Sequence, residues 1–395
     1  METIQVTSAN RITVVDALRG FALVSIMVLH NIEKFETAYG VVPPVPVWMA
    51  GIDKGIWDSF FFVFGGKSYA IFALLFGLTF FIQTHNREKE GKDFRLRFAW
   101  RLVLLLGFGF INTLFYQGEI LVLYAIVGFF LIPFTRLGNR TIFIAALILL
   151  FQPIMWLRVV LAINNPGLEP AVPAYEPFYA KVGKFLTGDS LLALMRSNIT
   201  NGRIASLLWY WEVGRITQTL GLFLLGYLAG RKRIFFNTPE NLKFWRRVLI
   251  VSAIMFFPLT YIQFNTGLFT DSENIRSSLT AVITLWSNMA LMLVMVSGFV
   301  LLFYNARFQS ALNKLSPIGK MSLSNYIIQS MIGSTIYYGF GLGLYRYTGA
   351  TFCLLIGISL AIAQGIFSTW WFKTHKRGPL ESVWHKLTWL GTDKK

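Results

Sequence analysis

The sequence predicts an all-α, polytopic membrane bundle of about ten transmembrane helices with both termini on the cytoplasmic side. Three observations carry that prediction. First, of the 395 residues 55% are hydrophobic and only 14% charged, with a mean hydropathy of +0.55, whereas a soluble domain is about a quarter charged. Second, apolar runs of about 20 residues, the length needed to cross a hydrocarbon core, recur along the whole chain. Third, the charge is sorted by segment. The chain holds 36 Lys and Arg against 19 Asp and Glu, a net +17. These basic residues lie between the apolar runs, not clustered on one soluble face as a nucleic-acid partner requires.

The expected spans are 14–32, 57–82, 99–117, 119–135, 141–163, 206–230, 248–266, 278–304, 318–340 and 350–372. The first is not a cleavable leader, because Asp16 and Arg19 interrupt it and no small-residue cleavage site follows. Segments assigned to the inner side hold 24 of the 36 basic residues and the outer ones 8, a bias that predicts a multi-pass plasma-membrane protein, N-in and C-in. The chain reads as one transmembrane domain: a core-like part over 11–137, an outer loop over 164–205 and a C-terminal segment over 206–395. The outer loop opens with NNPGLEPAVPAYEP, and its later FLTGDSLLALMRSNI suits a short surface helix or a lid over a substrate. After Gly378 and Pro379, the residues Leu380, Val383, Trp384 and Leu387 fall at helical spacing opposite Glu381, His385 and Lys386. That pattern predicts an interfacial helix over 379–390. No internal repeat is visible, which weighs against a transporter built from duplicated halves.

Several chemistries are excluded. The single cysteine, Cys353, rules out an intramolecular disulfide framework and a cysteine metal cluster. His85 and His375 have no partner at a metal-ligand spacing, so no metal site is expected. No G-x-x-x-x-G-K-[ST] loop and no G-x-S-x-G elbow occur.

Ionisable residues within apolar runs are costly and mark function or pairing. In the first span Asp16, Arg19 and His30 fall within about 60° of one another at 100° per residue. Asp16 and Arg19 are three apart and can neutralise each other, while His30 lies about 16 Å further along the axis. The stripe is either a structural ion pair with an imidazole at the outer interface or a polar path ending at a general base. Lys67, in GGKSY, either pairs with Asp58 or neutralises an anionic group such as phosphate. Glu212 and Arg215 are expected to pair with each other, and Arg158 to snorkel outwards. Ser322, Asn325 and Gln329 share one helical face beside Tyr326, as interhelical polar contacts or as the lining of a tunnel. The inner basic loop carries Arg95, Arg97 and Arg101, which topology explains and which also suit a polyanion such as coenzyme A.

The stretches RITVVDALRGFALVSIMVLHN, GKSYAIFALLFG, GFINTLFYQGEILVLYAIVG, GKMSLSNYIIQS, GFGLGLY and KRGPLESVWHKLTW resemble the YeiB-like bacterial membrane proteins, a domain of unknown function. The first of these also resembles the opening of the transmembrane acyltransferase superfamily. That resemblance implies transfer of an acyl group from cytoplasmic acyl-CoA, acetyl-CoA first among donors, to an outer acceptor such as an envelope sugar or lipid headgroup. His30 stands where the superfamily has its proposed catalytic base. YeiB-like sequences often carry Asn at the position of His30, His at that of Asn112 and Asp at that of Glu119. If the hairpin brings Asn112 and Glu119 beside His30, the imidazole has changed helices within one cavity, and Glu119 can accept its ring N–H. Asp16, Arg19, Lys67, Arg97 and Arg101 are then expected to hold acyl-CoA. Ser322, Asn325, Tyr326, Gln329, Glu212 and Arg215 are expected to line the path. The alternative is a transporter or flippase with a charged intramembrane path and no covalent chemistry. The expected partners are the bilayer, acyl-CoA and the acceptor, with no nucleic acid and no metal, and a homodimer stays open.

Overall fold

A computed structural model describes residues 12–37 and 46–390, and every regular element among them is a helix, with no strand. Solvent explains this: hydrocarbon offers no partner for an exposed N–H or C=O, so an apolar run closes its hydrogen bonds within itself. α1 (Thr13–Ile32) forms as expected and lies at the centre, with Val14, Ala17, Leu18, Ala22 and Met27 fully buried. α2 (Val47–Phe64) and α3 (Ser68–Glu88) follow, then α4 (Arg95–Phe115) and α5 (Leu121–Leu131). α6 (Asn139–Phe151) and α7 (Pro153–Asn164) lead into the shorter α8 (Glu176–Leu186), α9 (Leu191–Ser197) and α10 (Arg203–Glu212). α11 (Arg215–Arg231) packs along α3, while α12 (Pro239–Phe264) packs along α13 (Glu273–Phe303). α14 (Ala306–Asn313) and α15 (Ser316–Lys320) turn the chain into α16 (Ser322–Tyr337), and α17 (Ala350–Trp371) and α18 (Pro379–Thr388) complete it. α12 is peripheral, with only Trp245 and Ser252 buried.

Seven segments among the described residues are long and apolar enough to cross a membrane, against the ten expected. The apolar helices are those of a membrane protein. The expected spans 206–230 and 318–340 hold helices of only 17 and 16 residues, α11 and α16, and 119–135 holds the short α5. Three expected helices are broken. The span 57–82 breaks between α2 and α3 at Gly65–Lys67, where Gly66 has φ +75°. The span 206–230 breaks at Gly214, φ +69°, a backbone state that glycine reaches without strain. The span 141–163 breaks at Gln152, φ 64°, because the following Pro153 has no N–H and crowds its neighbour out of the α region.

The start of α1 marks the base of the bundle. There Ser316 Oγ donates to the Thr13 carbonyl, Arg97 reaches the end of α18, and Arg231 ties α11 to the turn before α6. The chain ends, 1–11 and 391–395, lie outside the described residues. The opposite end, the crown, gathers the end of α1, the α4–α5 turn, α8 to α10 and the loop before α17. Small residues bring the central helices together. A Cβ on Gly20 would overlap the Leu315 carbonyl, and one on Gly319 the Asp16 carbonyl, so α1 and α15 touch backbone to backbone.

Candidate functional site: a basal cavity and a polar crown

α1, α3, α4, α5, α16 and α18 enclose a cavity of about 850 Å³. Its mouth is at the base, where Lys89, Glu90 and Arg377 are exposed. Six cations line it (Arg19, Arg87, Lys89, Arg101, Lys320 and Arg377) against two carboxylates, Glu90 and Glu381. Both carboxylates are engaged. Arg87 Nη1 meets Glu90 at 2.6 Å, and Glu381 accepts from the N–H groups of Leu323 and Ser324 and from the Ser324 hydroxyl. Deeper in, the walls are apolar and aromatic, among them Phe76, Phe98, Leu105 and Tyr124, and Tyr69, Ile120 and Tyr326 line the part nearest the crown.

The stripe on α1 runs up this wall. Arg19 lines the cavity, bonded through Nη1 to Asp16 at 3.0 Å and through Nη2 to the Thr79 hydroxyl at 2.9 Å. Ile26 lines it further in, and His30, one turn beyond Ile26, is not among the lining residues and belongs to the crown. The expected Asp16–Arg19 pair is therefore present, and the stripe connects the cavity wall to the imidazole.

His30 does not take its carboxylate from Glu119. Its Nδ1 lies 3.1 Å from Glu33 Oε2 and 3.1 Å from the Tyr116 hydroxyl. That hydroxyl also donates to Glu36 Oε1 at 3.4 Å, and Gln117 Nε2 donates to the other Glu36 oxygen. Local backbone produces this cluster. Lys34, Phe35 and Glu36 all have positive φ, 51°, 51° and 75°, a left-handed turn that is strained for residues with side chains. It is held by the Phe35 N–H on the His30 carbonyl and by Tyr338 Oη on the Phe35 carbonyl. Outside the spans, burial and then the neighbouring Glu33 push the Glu36 carboxyl up to about 8, against the hydrogen bonds from Gln117 and Tyr116.

Glu119 instead caps α5, accepting the N–H groups of Leu121 and Val122, and faces Arg203 Nη2 at 3.7 Å. The α5 N-terminus competes for the carboxylate and wins because its donors are two and three residues away. Arg203 is itself buried, and none of its guanidinium nitrogens makes a hydrogen bond among the described residues. Asn112, wholly buried, likewise has no partner for either amide atom there. The crown thus holds unfilled donors and acceptors directly above Ile120 and Tyr326, where the Ile120 N–H meets Tyr326 Oη at 3.4 Å.

Other expected contacts fall differently. Lys67 is not among the residues lining the cavity, and Asp58 pairs with Lys54, not with Lys67. Glu212 and Arg215 do not pair. The Glu212 carboxylate accepts the Ala174 N–H at 3.0 Å, while Arg215 bonds Gln218 at 3.2 Å and lies 4.0 Å over the Tyr69 ring, because the break at Gly214 turns the two side chains apart. Arg158 donates to the Glu212 carbonyl at 2.7 Å and so stays within the protein. Of the α16 face, Ser322 and Tyr326 line the cavity. Asn325 is an interhelical contact, donating to the Ile318 carbonyl and the Ser368 hydroxyl, and buried Gln329 has no partner among the described residues. Arg101 lines the cavity and lies 4.1 Å over Trp384, whereas Arg97 holds the Thr388 carbonyl at 2.7 Å and serves α18. Glu381 is no solvated residue of an interfacial helix, since it caps α16 from below.

Sequence reasoning missed Glu33, Glu36, Tyr116 and Arg203, and it read Glu381 as part of a polar helix face. Glu33 was within reach, three residues beyond His30. Arg203 was not, since it meets Glu119 from 84 residues away in sequence and only through the crown.

A family model described as "Protein of unknown function (DUF418)" matches residues 229–391. Uncharacterized protein YxaH of Bacillus subtilis is 28% identical over 99% of this chain and 97% of its own length. Uncharacterized protein YeiB of Escherichia coli is 24% identical over 96% of each. The chain is similar to the YeiB-like DUF418 proteins. An uncharacterized 39.9 kDa protein from the amylase 3' region of Bacillus acidopullulyticus is 24% identical over 96% of this chain and 94% of its own. No solved structure matches the chain.

Proposed function

We propose that this protein is a membrane-embedded acyltransferase that takes an acyl group from acyl-CoA at the base and passes it to an acceptor at the crown. The positive-inside bias supports a base that faces the cytoplasm. One observation carries the reading: a cavity with a basic mouth and an apolar interior ends beneath a polar cluster containing His30, on the same α1 stripe. Such a cavity suits an amphiphilic anion. Arg87, Arg101 and Arg377 would meet phosphates, for which the planar guanidinium is well shaped, and Phe76, Phe98 and Leu105 would cover the pantetheine and acyl chain. At the crown, Arg203, Asn112 and Gln329 offer unmet hydrogen bonds to a polar acceptor.

In the transfer, an acceptor hydroxyl or amine attacks the thioester carbonyl, a C–O or C–N bond forms, and the C–S bond breaks. His30 Nε2, opposite the Nδ1 held by Glu33 and Tyr116, receives the acceptor's proton, and coenzyme A leaves as the thiol once that proton is returned. Holding both substrates along one axis supplies much of the acceleration. A transporter or flippase reading remains the alternative, favoured by the charged intramembrane residues alone.

The purified protein titrated with acetyl-CoA is expected to melt higher, because a ligand of the native state stabilises it by mass action. His30→Ala is expected to keep that shift and to lose transfer by about 10²-fold or more. No shift with acetyl-CoA or any longer acyl-CoA overturns the reading, and full activity in His30→Ala moves the base elsewhere.

A further inference from the structure

The three helix breaks meet at one place. Gln152, at the α6–α7 break, accepts from Thr217 Oγ1 in the first turn of α11 at 2.8 Å, and a Cβ on Gly214 would come within 2.6 Å of its Oε1. A Cβ on Gly66, at the α2–α3 break, would lie 2.7 Å from Asn288 Nδ2 and 3.3 Å from Arg215 Nη2. Asn288 is the midpoint of the 31-residue α13, so the junction sits at membrane depth. The helices α3, α7 and α11 all begin there, and their first N–H groups lack intrahelical acceptors and carry positive partial charge.

The cations at the junction have no carboxylate among the described residues, and two buried polar groups there lack partners. Buried Lys67 lies 5.7 Å from the Phe62 ring and has no carboxylate partner among the described residues. Arg215 has none either, meeting only Gln218, Tyr69 and Trp209. Buried Gln152 keeps its Nε2 without a partner, and so does the Ser68 hydroxyl at the start of α3. Two like charges and three helix N-termini in one low-dielectric place repel each other unless an anion joins them.

We infer that the junction of Lys67, Arg215, Asn288 and Gln152 is a binding site for an oxyanion of phosphate type, held at membrane depth. Broken helices aiming their N-termini at an anionic group are a recurrent way to build such a site in a bilayer. It is distinct from the acyl-CoA cavity, since neither Lys67 nor Arg215 lines that space. Tyr69 separates the two, lining the cavity and carrying the Arg215 guanidinium on its ring. The oxyanion would be either a free phosphate or the phosphodiester of a net-anionic lipid headgroup, in which no choline cation offsets the charge.

The full chain, purified in an uncharged detergent, is melted with inorganic phosphate against chloride at equal ionic strength. It is melted again in nanodiscs of phosphatidylglycerol against phosphatidylcholine. Phosphate or phosphatidylglycerol is expected to raise the melting temperature. A response to phosphate assigns a free ion, and a response to the anionic lipid alone assigns a headgroup. Lys67→Gln and Arg215→Gln are expected to weaken the response at least tenfold in ligand concentration, while Lys67→Arg and Arg215→Lys keep most of it. Without the anion, Lys67→Gln is expected to melt no lower than the parent, since it removes one of two repelling charges. The site is overturned if neither condition raises the melting temperature or if the Gln variants respond as the parent does. It is also overturned if Lys67→Gln alone melts far lower without the anion. Acetyl-CoA binding serves as an independent readout, so this site and the acyltransferase reading fail separately.

Discussion

At the scale of single residues, the crown is set by who reaches whom first. His30 is joined by Glu33 and Tyr116, and Glu119 is taken by the start of α5. The raised Glu36 carboxyl gives this cluster a measurable pH signature. The folded state holds the Glu36 proton up to about 8, while the unfolded chain releases it near 4.5. The associated stability is therefore complete below 4.5 and is lost as pH rises through about 8. The parent is expected to melt lower at pH 9 than at pH 6, and Glu36→Gln is expected to flatten that dependence. An equal slope in both proteins would place the titrating group elsewhere. Sequence spacing gave the α1 stripe correctly, because a helix period fixes which of its residues share a face. It could not give the crown, where Tyr116, Arg203 and Glu36 come from separate segments and the turn at Lys34–Glu36 adopts a backbone state that no pattern announces.

Among the elements, α18 forms part of the cavity wall and is fastened at both its faces. Trp384 and His385 line the space, and Glu381 reaches up to the open N-terminus of α16. Trp384 Nε1 donates to the Arg101 carbonyl, and Trp100 Nε1 to the Leu387 carbonyl, so both sides of the helix are fastened to α4. Glu381→Ala removes three hydrogen bonds to a charged acceptor, each worth about 1.5–3 kcal/mol. The variant is expected to melt lower and to show faster protease cleavage after Arg377, and an unchanged cleavage rate would mean that the cap does not hold α18 down. The helix itself was legible in the sequence from the spacing of Leu380, Trp384 and Leu387. Its polar face was not, because amphipathicity marks a surface as polar without saying whether water or another helix end meets it.

For the whole molecule, the arrangement is a basal cavity, a polar crown and a charged junction beside them, stacked across an apolar bundle. The orientation proposed from the basic residues is tested by labelling. The single cysteine, Cys353, is buried and gives a low background. Asp189→Cys at the crown and Lys89→Cys at the base replace exposed residues. An impermeant maleimide added to intact cells is expected to label the first and not the second. The reverse pattern would invert the protein and with it the direction of acyl transfer.

By itself the sequence determined that this is an all-helical membrane protein, where its main apolar runs lie and which residues of α1 share a stripe. Those properties follow from composition and period, which are local and additive along the chain. Only the tertiary structure decided that three apolar runs are broken, that their breaks converge near Lys67 and Arg215, and that His30 stands in the crown, beyond a cavity that opens at the base. Glycine and proline permit a break wherever they occur. Whether the chain uses it depends on the neighbours that close in around the interrupted backbone, and those neighbours come from α13, α6 and α11, far away in sequence.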